Sequence, residues 1–573
     1  MKQSAQTNLK YPSIALLLAG VIALLMRFVL LGKLALTDSE AVNALQALSG
    51  VQGGEHLIGG EAGYVLLTTV WFFLFGVGEG AARFWPALAG TALALTPWLF
   101  RKQLGGKTAL LLCFVLAVDA GWMAVSRQAN GTSWAGLFLV LALSALLAKK
   151  SRLTGVFTAL ALLGGPAFWQ GAIGLGAAYL LYRFVFQPRR AVADPGEEPI
   201  AAGFSGIDWM VALGWFTGAA LVSGTLLFLI PNGLSAAANG IVQYLKGWSQ
   251  EGTVTIGRML LGLVLSQPLG FFFAAVGFAR VFRTKNPLDT FLAVWWLVSL
   301  VLALLYPARE TADLVWALLP MLALSARQLA KLLTTAVSFR WTAIAYSIIV
   351  LVLLTFAWLS FIAFFSAARP EVSTFVRIVT SLFPVLLLIG AAYVIRWFWD
   401  EETAGQGALW GLIGALVLWG FSAAWGGSGL GAHPEGQIWR RGALVDEVDL
   451  LQTTINDLST WKMRTPGELE LVVEGIESPA LRWALRDYRQ VQFVTTTASA
   501  SAPALVITDD KPSPELAETY RGQDFVLAVN PTWQMSFDEW LQWVAFKTVP
   551  VSKTILVLWA RTDLFPDAAG FNP

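Results

Sequence analysis

The first acidic cluster of the chain, Thr37-Asp38-Ser39-Glu40-Ala41, puts two carboxylates inside one helical turn. At the mouth of a membrane bundle, such a carboxylate can act as a general base or hold a divalent cation against a phosphate. The same residues also read as a capping box, Thr37-x-x-Glu40, opening a short helix with Val42, Leu45 and Leu48 on its apolar face. Asp38 in the first turn suits the helix dipole. Both readings stay open on residue pattern. Further on, Glu55-His56-Leu57-Ile58-Gly59-Gly60-Glu61 lacks metalloprotease spacing, and its glycines read as a polar turn. Asp119 lies within an apolar run, a costly place for a carboxylate unless it faces a cavity or a partner. Arg127 follows eight residues later, about 12 Å along a helix. Arg309-Glu310 and Asp313 share another outer turn, and Arg127, Arg258 and Arg309 have the chemistry to bind an anionic lipid head group. The substrate-binding candidates are therefore His56, Asp119, Arg127, Arg309 and Glu310, beside Asp38 and Glu40.

The elements that position these residues are mostly membrane helices. The chain has 573 residues, 56% hydrophobic, with a mean hydropathy of +0.63 and 13% charged residues. That is about half the charge of a soluble globular protein. A single cysteine, Cys113, excludes a disulfide-built secreted domain. A span needs about 20 mostly apolar residues. Such stretches fall at about 14–36, 81–100, 108–125, 132–148, 153–166, 171–187, 207–230, 258–281, 288–306, 312–329, 341–365, 375–397 and 407–425, which is thirteen. Residues 63–78 are short and aromatic and read as an interfacial or re-entrant helix. With that stretch left out and the N-terminus inside, 18 basic residues fall on the cytoplasmic side and 8 outside. Counting it in would invert the distribution, against the positive-inside rule. The expectation is an integral plasma-membrane protein with a cytoplasmic N-terminus and a structured first outer loop over 37–80.

Composition changes near Gly426. Residues 1–425 carry 27 Lys+Arg and 18 Asp+Glu, whereas residues 426–573 carry 12 and 19. The second segment reads as a soluble domain outside the cytoplasm. Gly426–Gly431 reads as a flexible linker, since no strand precedes it and no Lys-Ser/Thr follows. An amphipathic helix is expected at about 443–463, helices at 479–487 and 535–547, and strands at 469–473, 491–495, 504–508, 524–529 and 554–560. The alternation predicts a small α/β domain with a largely parallel sheet. No nucleophile–base set lies in it, and His433 sits in the linker.

The layout resembles the GT-C superfamily of integral-membrane glycosyltransferases, which includes protein O-mannosyltransferases and lipid A aminoarabinose transferases. The residues that carry the resemblance are Thr37–Ala41 in a long first loop, Ala82-Arg83-Phe84-Trp85-Pro86-Ala87-Leu88-Ala89-Gly90, the basic turn Arg101–Lys107, and a span ending at Ser126-Arg127. Leu481-Arg482-Trp483-Ala484-Leu485-Arg486-Asp487-Tyr488 is similar to the C-terminal domain of a prokaryotic, flippase-activity-associated subgroup. The resemblance implies a mainly α polytopic bundle with a C-terminal extracytoplasmic α/β domain. It implies inverting transfer of a sugar from a polyprenyl-phosphate donor. It also implies a first-loop carboxylate, Asp38 or Glu40, as base or metal ligand, with Mg or Mn as the divalent cation. Two departures stand out. The usual Asp-Glu pair is adjacent, but here Ser39 intervenes. The acid often found after the arginine is missing from Arg127-Gln128-Ala129-Asn130-Gly131-Thr132.

Those departures keep a second function in play: a non-catalytic relative that binds a lipid-linked glycan or assists its export with partner proteins. A transporter is the third reading, weakened by the scarcity of intramembrane charges beyond Arg27 and Asp119. The expected partners are a polyprenyl-phosphate-linked sugar and membrane lipid. No nucleic acid is expected.

Overall fold

The computed structural model describes residues 12–54, 58–186, 206–252, 254–284, 286–335, 341–365, 374–398, 401–510 and 516–565. It is mainly helical, 71%, with a sheet domain at the C-terminal end. Helix α1 (Pro12–Phe28) enters the first loop, which contains α2 (Asp38–Val51) and α3 (Ala62–Phe75), and α4 (Glu79–Leu95) follows. Helix α3 covers most of the stretch expected to form a short helix at 63–78. Its N-terminal half is buried at Tyr64, Val65 and Leu66, while Phe73 and Phe75 near its end are exposed.

Three helices are long and apolar enough on their own to cross a membrane: Pro287–Leu305, Trp341–Phe364 and Thr403–Leu430. Two bent pairs bring the number to five if each is one span. Both bends fall inside stretches expected to be continuous. Ile256–Ser266 and Pro268–Thr284 meet at 97°, where Pro268 removes a backbone N–H and disfavours helix at the residue before it. Gly106–Ala117 and Ala120–Ser126 meet at 55°. Here Asp119 is the cause: its backbone is extended and its Oδ1 accepts the Trp122 N–H at 2.7 Å, capping the second piece. Arg27 of α1 closes the other side of the break, donating from Nη1 to the Ala117 carbonyl at 3.0 Å and from Nη2 to the Leu116 carbonyl at 3.1 Å. Asp119 is thus a cap on its own broken helix, not a carboxylate projecting from a continuous one, and it has no straight-helix relation to Arg127.

The C-terminal domain is a six-stranded mixed sheet in the order β1-β5-β6-β4-β2-β3. Its strands are β1 (Leu444–Val445), β2 (Leu471–Glu474), β3 (Val491–Val494), β4 (Leu505–Asp509), β5 (Tyr520–Pro531) and β6 (Val551–Arg561). Only β2–β3 and β2–β4 are parallel. The remaining neighbours are antiparallel, which corrects the expected largely parallel sheet. The helix Phe537–Phe546 lies between β5 and β6 but makes no crossover. The chain leaves β5 at Pro531 and rejoins opposite it at Val551, so the helix is an excursion from a long hairpin. Alternation of elements cannot distinguish these two cases.

The glycine-rich segment after Trp425 is packed, not loose. Gly426–Leu430 continues the preceding helix as a wider turn, and Ser428 is buried. A side chain on Gly427 would meet the Ala120 carbonyl at 2.9 Å, and Gly429 takes a φ of +79°. The glycines allow close approach to the broken helix rather than freedom.

Replacing Asp119 with alanine should cost about 1 kcal/mol, the usual loss for a deleted helix N-cap. It should be read as a lower midpoint in thermal unfolding of the detergent-solubilised chain. Asp119→Asn keeps an equivalent cap and should unfold with the wild type. Equal midpoints for Asp119→Ala and wild type would exclude the cap as the reason for the bend.

Candidate functional site

The capping box predicted for α2 is present: Thr37 receives the Glu40 N–H, and the Glu40 side chain receives the Thr37 N–H at 3.1 Å. Glu40 does much more. Arg83 of α4 grips it along one edge of the guanidinium, Nε to Oε1 at 2.7 Å and Nη2 to Oε2 at 2.9 Å. The Ala129 N–H adds a bond to Oε1 at 2.9 Å. Both side chains are 4% exposed. Burial alone would push the Glu40 carboxyl upward, but the charge and hydrogen bonds of Arg83, with the two N–H groups, outweigh it and hold it down to about 2. Asp38 points elsewhere. Its Oδ1 accepts Ser478 Oγ at 2.7 Å and the Ala480 N–H at 2.9 Å, clasping the start of the helix Pro479–Ala484 in the C-terminal domain.

Arg127 is similarly committed. It donates to the carbonyls of Met26, Arg27, Val29 and Leu30 at the end of α1, and from Nε to the Ser428 carbonyl at 2.8 Å. A cation there satisfies carbonyls that have no partner inside the helix. Glu40, Arg83, Arg127 and Arg440 do border a common cavity, but its volume is only about 30 Å³. That is room for a water or two, not for a sugar. Arg309 donates to the Val254 carbonyl at 2.8 Å, and Arg258 to the Ile438 carbonyl at 3.2 Å while lying over the Trp533 ring. Both arginines expected as anion-binding groups on those turns therefore hold backbone. His56 and its neighbour Glu55 lie outside the described residues. Asp119 borders neither of the polar cavities.

A different carboxylate sits where several loop segments meet. Glu61, at the start of α3, accepts Asn43 Nδ2 at 2.8 Å and the Gly131 N–H at 2.9 Å, both on Oε2. Among the described residues Oε1 has no hydrogen-bond donor. Burial raises the Glu61 pKa above its ordinary value, although Arg441, the Gly131 N–H and the Asn43 amide pull the other way. Arg441 in turn forms an ion pair from Nε to Oε2 of Glu310, and the Glu310 N–H is held by Asp313 Oδ2 at 2.9 Å. Four segments distant in sequence thus converge: the first loop, the Gly131 turn, the Glu310 turn, and Arg441 just after the glycine-rich segment. Of the predicted residues this cluster takes in only Glu310. Glu61 stood in the polar turn noted from sequence, but nothing local set it apart from Glu55. Arg441 carried no signal at all.

Among the described residues, no three His, Cys, Asp or Glu side chains come close enough to share a metal ion. Glu40 commits both carboxylate oxygens to protein donors, and Asp38 and Glu61 commit one each. This donor set does not fit a divalent cation, which wants several oxygens and no neighbouring positive charge.

No protein-family profile and no curated protein matches the chain. Among solved structures it is similar to ArnT from Cupriavidus metallidurans bound to undecaprenyl phosphate, with 13% identity, a TM-score of 0.55 and coverage of 97% of this chain and 99% of that one. The same enzyme in the apo state gives 14% identity, a TM-score of 0.53 and the same coverage. The apo oligosaccharyltransferase of Archaeoglobus fulgidus gives 14% identity and a TM-score of 0.43, over 85% of this chain and 64% of that one. At this level of identity the likeness is one of fold. The chain has the fold of the ArnT structures, which is the fold expected from its resemblance.

Removing one partner of the buried pair isolates the other charge, so Glu40→Gln should destabilise the chain by about 3–5 kcal/mol. The pH dependence has a definite sign. Because the folded carboxyl is depressed to about 2 from 4.5, its contribution is complete above 4.5 and is lost as the pH falls toward 2. Thermal unfolding between those values should show a steeper acid loss in the wild type than in Glu40→Gln. Parallel curves would remove the pair from the stability account.

Proposed function

We propose that the chain is a membrane glycosyltransferase that moves a sugar from a polyprenyl-phosphate donor to an extracytoplasmic acceptor. The observation that carries this reading is the Glu61–Arg441 arrangement: a carboxylate with one open oxygen and a raised pKa, beside a guanidinium, on the loop side of a GT-C fold. The similar ArnT structure is bound to undecaprenyl phosphate, which supports a lipid phosphate of that class as donor carrier. In the proposed step the open oxygen of Glu61 takes the proton of an acceptor hydroxyl. The new bond forms between the acceptor oxygen and the anomeric carbon. The bond from that carbon to the phosphate oxygen breaks on the opposite face, and its electron pair leaves with the polyprenyl phosphate. Arg441 offsets the charge gathering on that phosphate. Glu40 and Asp38 then position the loop, and no metal enters the step.

Glu61→Gln should lower transfer by at least about 100-fold, the scale of a lost general base. Release of free polyprenyl phosphate from a polyprenyl-phosphate hexose measures it, with KM little changed. Full transfer by Glu61→Gln would sink the assignment. A non-catalytic glycan-binding relative is the second reading. It is favoured by the engagement of both Asp38 and Glu40 with protein partners, and it gains if the wild type releases no polyprenyl phosphate.

The proposed topology keeps the thirteen-span layout, with the N-terminus in the cytoplasm and residues 426–573 outside. Ser499 and Lys150 are both exposed in the fold. In intact cells an impermeant thiol reagent should label Ser499→Cys and spare Lys150→Cys. The reverse pattern would overturn the orientation.

A further inference from the structure

A polar cavity among the described residues lies away from Glu61, on the seam between the first loop and the C-terminal domain. Its volume is about 420 Å³, within the range of about 300–1,000 Å³ typical of small-ligand sites. None of Glu61, Arg441 and Glu310 lines it. Lys33 and Glu79 come from the membrane side, and Asp449, Asn456, Arg486 and Asp487 from the C-terminal domain.

The helix Val448–Met463 explains how one wall arises. Leu451 and Ile455 bury against the sheet, while Asp449, Gln452 and Asn456, at helical spacing, turn toward the cavity. Arg486 supplies another wall and is firmly held. It lies over the Trp483 ring, donates to the Trp483 carbonyl at 2.8 Å, and sits 3.6 Å from Glu79 and 3.5 Å from Asp487. Its Nε is buried without a hydrogen-bond acceptor among the described residues. Trp483 is fixed by its own bond to Glu79 at 2.9 Å. Lys33 and Asp449, on the two sides of the seam, form no side-chain hydrogen bond or ion pair among the described residues.

This lining selects a chemical class. It offers both donors and acceptors: a lysine, an arginine, carboxylates and amides. A ligand whose groups each donate and accept satisfies such walls, and a hydroxyl-rich ring does so all round its edge. The three carboxylates exceed the two cations by one, so an anion gains little there. The walls are mostly polar, so a prenyl chain gains little either. We propose that the seam cavity is a binding site for an uncharged saccharide, which in the transferase reading is a unit of the acceptor glycan. That role rests on the reading above, but the binding site does not.

The test is saturation-transfer NMR on the full chain in detergent, with glucose, galactose, mannose, N-acetylglucosamine, glucuronic acid and inorganic phosphate as probes. At least one neutral sugar should bind, more tightly than glucuronic acid or phosphate. Asp449→Leu and Asn456→Leu, each with its thermal midpoint measured, should weaken it at least tenfold. Asp449→Asn, at an exposed position where misfolding is not expected, should weaken it less than Asp449→Leu. The proposal is overturned if no neutral sugar binds, if phosphate or glucuronic acid binds best, or if folded Asp449→Leu and Asn456→Leu both bind as the wild type does. Saccharide binding retained by a transfer-dead Glu61→Gln would leave this site standing. Intact transfer without saccharide binding would overturn this site alone.

Discussion

The pairing of Arg83 with Glu40 is the constraint on which the loop half of the molecule depends. Buried charges of this kind are tolerated only when every donor and acceptor is used. Here the remaining bonds reach in several directions. Arg83 also donates to the carbonyls of Leu31, Leu34 and Ala35, and Glu40 also accepts the N–H groups of Thr37 and Ala129. One ion pair therefore joins the exit from α1, the start of α2, the body of α4 and the turn after the broken helix. Desolvation cancels much of the attraction in such pairs, so its main effect is to fix one arrangement of four segments.

Two further arginines apply the same logic at helix ends. Arg27 collects carbonyls where the helix Gly106–Ala117 stops, and Arg127 collects those where α1 stops and reaches Ser428 beyond. Each takes carbonyls that a helix terminus leaves open. The C-terminal domain then has a rigid surface to dock on. Asp38 clasps the helix Pro479–Ala484, Trp483 bonds Glu79, and Trp439 is buried with its Nε1 on Ser266 Oγ at 3.1 Å. The seam cavity exists only because this docking is fixed, since its walls come from both sides.

What could be read from sequence followed the range of the interaction. The apolar bundle, the composition boundary near Gly426 and all five expected strands are local properties, and the strands appear within a few residues of their predicted bounds. The capping box was equally local. The partners of Asp38 and Glu40 were not: Arg83 lies 43 residues from Glu40, and Ala480 lies 442 from Asp38. A resemblance could mark the loop as important, but it could not say which carboxylate has both oxygens tied to protein, as Glu40 does, and which keeps one oxygen without a donor among the described residues. Asp119 misled for a different reason. Its N-cap chemistry was local, but the apolar residues on both sides hid the helix break. The glycines after Trp425 read as a tether because sequence records the absence of a side chain, not the backbone that fills its place.

The environments of the loop carboxylates also separate their chemistry. A base must release its charge to a proton during reaction, and its usefulness grows as its pKa approaches the working pH. Glu40 fails on that count. A bidentate guanidinium and two N–H groups stabilise its anion so strongly that protonation belongs near pH 2. Taking a proton would break the tie that holds the loop together. Glu61 has the opposite balance, with burial outweighing the pull of Arg441 and two neutral donors confined to one oxygen. Protonating its other oxygen sacrifices no bond to the protein. The same loop thus carries one carboxylate whose two oxygens are both tied into the architecture and another that keeps one oxygen untied.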